Sequence, residues 1–196
     1  VKFVLGRAGL FVAAGLAVSL AAACSQQDPG SPSPAPTTSS ATSSTSGAPK
    51  VASPKNLKGI DPCQLLTAQQ LQMLGATPRS QPTRDKSVWG EATCMWENDN
   101  VTVGLSPQTT LTKGIEQAYL SKDNYSFFQP TTVDGYPAVL VDKQKLSCGM
   151  FVGVSDTQEL SLTVVVTGKD NPDYGNPCAF PPKVAGAALK NIPAGQ

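Results

Sequence analysis

Four cysteines, Cys63, Cys94, Cys148 and Cys178, are the residues whose type first invites chemistry. Thiols in this number either hold a metal or pair with one another. A Cys₄ zinc site needs close C-x₂₋₄-C pairs, and the gaps here are 31, 54 and 30 residues, so the spacing argues for two disulfides. Cys94 and Cys148 fall in predicted strands, and Cys63 and Cys178 lie at or near the starts of the two terminal helices. That placement predicts the pairs Cys94–Cys148 and Cys63–Cys178.

The chain contains no histidine, which removes His-based acid–base catalysis and the Ser-His-Asp and Cys-His arrangements. Glu91, Glu97, Asp99 and Asp142 sit in turn or edge contexts where solvated charge is the default. Asp170 and Asp173, in the polar loop 168–177, offer too few oxygens for Ca²⁺. The residues therefore assign no catalytic set, metal or cofactor. The candidates for ligand contact are aromatic: Trp89, after the charged run Arg84-Asp85-Lys86-Ser87, and Tyr125 and Phe127, which cluster with Phe128. Trp96 shares strand parity with Cys94 and reads as core.

The elements that must position these residues follow from periodicity. Asp61-Pro62-Cys63-Gln64 and Thr67-Ala68-Gln69-Gln70 both carry helix-start spacing, predicting a helix over about 62–74, broken near Thr67. Ala92–Glu97 and Val101–Leu105 form a hairpin around Asn98-Asp99-Asn100. Leu111, Ile115, Ala118 and Tyr119 recur at helical spacing, giving a helix over about 111–122. Thr131–Val133 and Tyr136–Asp142 flank the turn pair Asp134-Gly135. Leu146–Val154 and Leu160–Val166 alternate as half-buried strands, and Val184, Ala187, Ala188 and Ile192 mark a last helix. The order predicts an α+β domain over 57–196: an antiparallel sheet of about five to six strands with helices packed on it.

Before this domain, Lys2 and Arg7 precede an uncharged apolar run from Ala8 to Ala23, which has the layout of a secretory signal peptide over 1–23. Ala21-Ala22-Ala23 followed by Cys24 resembles a bacterial lipobox, with Leu20 one place further back than the usual leucine. That resemblance implies a lipid on Cys24 and a place on the extracytoplasmic face of a cell membrane. Residues 24–56 are rich in Ser, Thr and Pro and read as a disordered tether spanning roughly 30 Å r.m.s.. Without Lys2 and Arg7, 13 basic residues face 14 acidic ones. Such a balance lacks the positive footprint that nucleic-acid binding needs.

The order Asp61-Pro62-Cys63-x-Leu65-Leu66-Thr67, Leu71 with Gly75, Cys94-Met95-Trp96, Gly135-Tyr136-Pro137-Ala138, Cys148 and Cys178 resembles the actinobacterial lipoproteins grouped as domain of unknown function 3558. The resemblance implies an envelope location and, by analogy of fold, likeness to the Mog1/PsbP-like α/β/α sandwiches, which mostly serve as binding or accessory modules. The expected function is a non-catalytic binding domain held at the membrane by its lipid, with an envelope protein, a wall polymer or a small lipid-like ligand as partner. The rivals are a carboxylate-based hydrolase and an accessory subunit of a membrane secretion complex.

Overall fold

The computed structural model describes residues 46–195. The expected signal peptide, the lipidated Cys24 and the tether as far as residue 45 lie outside the described residues. Among the described residues, seven strands form one antiparallel sheet: β1 (Thr83–Lys86), β2 (Ala92–Glu97), β3 (Val101–Gln108), β4 (Phe128–Val133), β5 (Tyr136–Val141), β6 (Ser147–Gly153) and β7 (Glu159–Val166). Three α-helices accompany them, α1 (Ala68–Met73), α2 (Ile115–Leu120) and α3 (Pro181–Leu189). Among these residues no helix is long and apolar enough to cross a membrane.

The strand order is β1-β2-β3-β7-β6-β5-β4. Two meanders, β1-β2-β3 and β4-β5-β6-β7, are joined by pairing of β3 with β7 from Val101↔Val166 to Gln108↔Glu159. The Asp134-Gly135 turn behaves as its sequence implies. Both residues have positive φ, +49° and +83°, as a two-residue hairpin of matching twist requires.

The α+β expectation holds, with more strands than the five to six expected. The unforeseen β1 is a polar edge strand, exposed along its whole length, so it lacks the alternation that betrays a half-buried strand. Its charges, and Pro130 on the opposite edge strand β4, discourage further strand pairing. The predicted break near Thr67 is present. Pro62–Gln64 forms a 3₁₀ turn, and α1 starts afresh with a reciprocal cap. Gln70 N–H donates to Thr67 Oγ1 at 3.2 Å, and Thr67 N–H donates to Gln70 Oε1 at 2.8 Å.

The main core lies on one face of the sheet. Cys94, Trp96, Val103, Leu105, Met150, Leu162 and Val164 pack there against Leu65, Leu66 and Leu71 and against Val184, Ala185 and Ala188 of α3. Residues 46–56, expected to belong to the tether, instead run along this domain. Ala48 is buried, Lys55 N–H donates to the Val154 carbonyl at 2.7 Å, and Asn56 N–H donates to the Pro193 carbonyl at 3.0 Å. Backbone hydrogen bonds to Val154 and to the C-terminal segment hold a stretch that is poor in large apolar side chains.

The disulfides join Cys63 to Cys94 and Cys148 to Cys178, which corrects the predicted pairing. Cys94 and Cys148 do share the core face, but β3 and β7 stand between their strands. Three strand spacings are roughly 14 Å, twice the ~7 Å Cα separation that a disulfide can span. Each cysteine instead reaches up to the 3₁₀ turn directly above it, Pro62–Gln64 or Pro177–Ala179. The bridges close loops of 31 and 30 residues, each contributing about 3–4 kcal/mol in the chain-entropy account. Peptide mapping of unreduced protein is expected to recover only these two pairs. Cys63→Ala with Cys94→Ala should lower unfolding free energy by about 2–4 kcal/mol in urea titrations.

Candidate functional site

Alternation along the strands sends every second side chain to the face opposite the main core. There α2 covers only one side of the sheet, packing Ile115 and Ala118 on Val139, Val141 and Phe151. Gly153 permits this approach: a Cβ at that position would stand 2.8 Å from the Ile115 Cβ. The middle of the face is uncovered, and Thr163 is exposed to solvent although β7 is the central strand of seven.

This uncovered strip is the floor of a groove of about 630 Å³. One register row, Met95–Gly104–Thr163–Gly149–Val141, crosses five strands beneath it, and the next runs Ser106–Ser161–Phe151–Val139. Glycine, serine and threonine at the crossing points keep the floor low. A Cβ on Gly104 would meet only ordinary contacts, at 3.7 Å or more, whereas one on Gly149 would press to 2.9 Å from a Val141 methyl.

Aromatic rings form the walls. β1 and β2 are joined by a tight turn in which Ser87 N–H donates to the Glu91 carbonyl at 2.7 Å and Gly90 N–H donates to the Ser87 carbonyl at 2.8 Å. Gly90, at φ +81°, supplies the left-handed residue that such a turn needs. Trp89 at its tip is 49% exposed and hangs over the groove, 5.9 Å edge-on from Phe151. Phe151 lies 5.8 Å from Tyr125, which stacks at 6.0 Å on Phe128, which in turn meets Tyr119 at 5.3 Å. Five rings thus form one continuous series.

Of the sequence candidates, Trp89 and Tyr125 converge on the groove and Phe127 does not, because its side chain turns to the main core. Phe151 was missed. Its parity, opposite to Cys148, Met150 and Val152, carried the signal: a large ring on the face otherwise given to Ser147 and Gly149. Trp96 is core, as its parity implied.

The carboxylates divide by partner. Asp61 accepts from both terminal nitrogens of Arg84, at 2.7 and 2.8 Å, and from Cys63 N–H at 3.0 Å; Arg84, then that N–H, lowers its pKa. Burial opposes the charge of Glu91, but the N–H groups of Thr109 and Thr110, donating at 2.9 and 2.8 Å, outweigh it and lower its pKa overall. Glu91 thereby ties the start of the connection to α2 onto the hairpin. Asp173 is occupied by Lys183 at 2.6 Å. Asp142 accepts from Ser126 N–H at 3.0 Å at the groove rim.

Glu159 is different. It begins β7 on the groove face, opposite Gln108 and Gly153, and only 3% of it is exposed. Its Oε2 has no hydrogen-bond partner, nor do the buried Gln108 Oε1 and Thr93 Oγ1. Desolvation raises the Glu159 pKa to about 8, so it is a neutral acid at pH 7. Gln108 donates to Ser106 Oγ at 3.0 Å and to Ser87 Oγ at 3.5 Å, and both serines line the groove. Each unpaired buried polar atom costs about 1–3 kcal/mol, which makes this cluster the least satisfied part of the domain.

The chain belongs to the family described as "Protein of unknown function (DUF3558)", whose model matches residues 19–191. No curated protein and no solved structure matches it.

A carboxyl held neutral to about pH 8, but ionising near 4.5 in the unfolded chain, makes the native state bind the extra proton. Its contribution to stability is full below about pH 4.5, falls as pH rises through that window and is gone above about 8, a total on the order of 5 kcal/mol. Glu159→Gln should abolish this decline, raising the urea midpoint at pH 8 and leaving it nearly unchanged at pH 4.5. Parallel pH profiles for the two proteins would refute the assignment.

Proposed function

We propose that the chain is a cell-envelope lipoprotein, anchored through Cys24 on the extracytoplasmic face, whose domain binds a small amphipathic ligand without transforming it. The groove carries this reading. Its volume is that of small-molecule sites, and it joins an apolar surface from Trp89, Met95, Val141 and Phe151 to serines, threonines and the charged Asp85, Lys86 and Asp142. The open central strands support it further, because a sheet face built only for stability would bury side chains larger than Gly104, Gly149 and Ser161. Helices on both faces, unequal in extent, support kinship with the Mog1/PsbP-like sandwiches. The charge-free run from Ala8 to Ala23 before Cys24, and two disulfides suited to an oxidising compartment, support the envelope location.

The neutral dye N-phenyl-1-naphthylamine tests the groove on the mature chain carrying Cys24→Ala. Wild-type sequence should enhance its fluorescence saturably, with one site per chain. Gly104→Val fills the floor without a backbone clash, so it should weaken binding by at least about tenfold, or 1.4 kcal/mol, while the unfolding midpoint stays put. Unchanged affinity in both Gly104→Val and Trp89→Ala would sink the groove as a site.

The anchor has its own test. Cells fed an alkyne-tagged fatty acid should label the chain, and Cys24→Ala should lose the label and move from the membrane to the soluble fraction. Membrane retention of the variant with no label on either protein would rule out the lipid.

A further inference from the structure

The floor of the groove leads to a carboxylate without a cation. Its low row, Met95–Gly104–Thr163–Gly149–Val141, ends on β5 at Val141. The next residue, Asp142, lines the groove together with Tyr125 and Phe151. Backbone and side chain hold Asp142 against the segment that carries Tyr125. Its N–H donates to the Phe127 carbonyl at 3.1 Å, and its Oδ1 accepts from Ser126 N–H at 3.0 Å and from the Ser126 hydroxyl at 3.2 Å. Burial raises the pKa of the Tyr125 hydroxyl, and the carboxyls of Glu159 and Asp142 raise it further, so the Asp142 charge reaches that ring. The other carboxylate oxygen, Oδ2, accepts no hydrogen bond, and among the described residues no lysine or arginine pairs with Asp142.

The remaining charges of the lining, Asp85 and Lys86, stand on β1, five strand spacings from β5. That is roughly 24 Å, well beyond a Debye length of ~8 Å. Alternation gives Asp85 the groove face of its partner Thr93, and gives Lys86 the face of Arg84, which bonds to Asp61. Lys143 and Lys145, which follow Asp142 in the chain, are exposed and lie outside the lining.

Resting on the groove reading above, we infer that the ligand carries a protonated amine at its head, which donates to Asp142 beside the Tyr125 ring, while its apolar body lies along the Val141–Gly149–Thr163–Gly104 row beneath Trp89. An ammonium supplies what this end of the groove lacks. Its N–H meets Asp142 Oδ2 in a charge-assisted hydrogen bond, and its charge is drawn to an aromatic face within about 6 Å. A carboxylate head meets a like charge there. A hydroxyl head can donate to Oδ2, but it leaves the Asp142 charge uncompensated while the ligand's body excludes water from it.

Decylamine, 1-decanol and decanoate share one chain length and differ in the head. Each is titrated calorimetrically, below micelle-forming concentration, at about pH 7, where an alkylamine is protonated as lysine is. Decylamine should bind the Cys24→Ala chain about five- to tenfold more tightly than 1-decanol, and decanoate should bind more weakly than either. Asp142→Asn probes the seat and spares the fold, because Asn tolerates the positive φ of +49° and its side-chain oxygen can still accept from Ser126 N–H. It should bring decylamine down to the affinity of 1-decanol and leave 1-decanol unchanged, whereas Asp85→Asn should keep the preference. Equal affinity for decylamine and 1-decanol, tighter binding of decanoate, or a preference that survives Asp142→Asn would overturn the amine head; loss of all three compounds in Gly104→Val would still mark the groove as the site. Dye binding without decylamine binding would likewise overturn the head and spare the groove. Binding of neither the dye nor any decyl compound would bring down both readings.

Discussion

The pairing of β3 with β7 is the constraint on which the rest of the domain depends. Each meander alone is a small sheet whose apolar face would stay wet. Eight consecutive register pairs, from Val101↔Val166 to Gln108↔Glu159, merge them into one surface broad enough to bury Trp96, Leu105, Met150 and Leu162 beneath the helices. The same pairing brings Gln108 beside Glu159 and Gly104 beside Thr163. The core and the groove are therefore opposite faces of one event. Because β3 meets β7 rather than β4, the chain must cross the far face between them, and α2 is the crossing.

That crossing also explains why the groove exists. α2 has six residues, roughly 9 Å of helix, and it covers β5 and β6 but not β7, β3 or β2. On the other face the two 3₁₀ turns, α1 and α3 share the covering, and each turn is stapled to the strand below it by a disulfide. Gln70 links those helices, donating to the Ala187 carbonyl at 2.8 Å and accepting from Asn191 at 2.7 Å. One face is thus sewn down through covalent and polar ties. The other keeps a central strip open, bounded by a hairpin tip and a series of aromatic rings.

Much of this was legible in the residues. Period-two alternation located β2, β3, β6 and β7, because the pattern records their buried face, whereas β5, buried on both faces, was placed by the turn before it. The Thr67–Gln70 cap and the Asp134-Gly135 turn were readable because their chemistry is local. β1 was not, since an edge strand exposed on both faces imposes no pattern on Thr83-Arg84-Asp85-Lys86. Trp89 and Tyr125, legible as aromatics in polar surroundings, both line the groove. Phe127 was wrongly joined to them, because adjacent strand residues point to opposite faces and the start of β4 was not visible.

The sequence by itself determined the α+β class, the disulfide count and which side chains share a face, since these follow from periods, parities and turn chemistry within a few residues. Only the tertiary structure decided which cysteines pair, because that depends on strand order, and nothing local in Cys94 or Cys148 records that two other strands stand between them. It alone decided that Gln108 stands directly across from Glu159. Those two residues lie far apart in the chain, and only the long-range pairing of β3 with β7 brings them together.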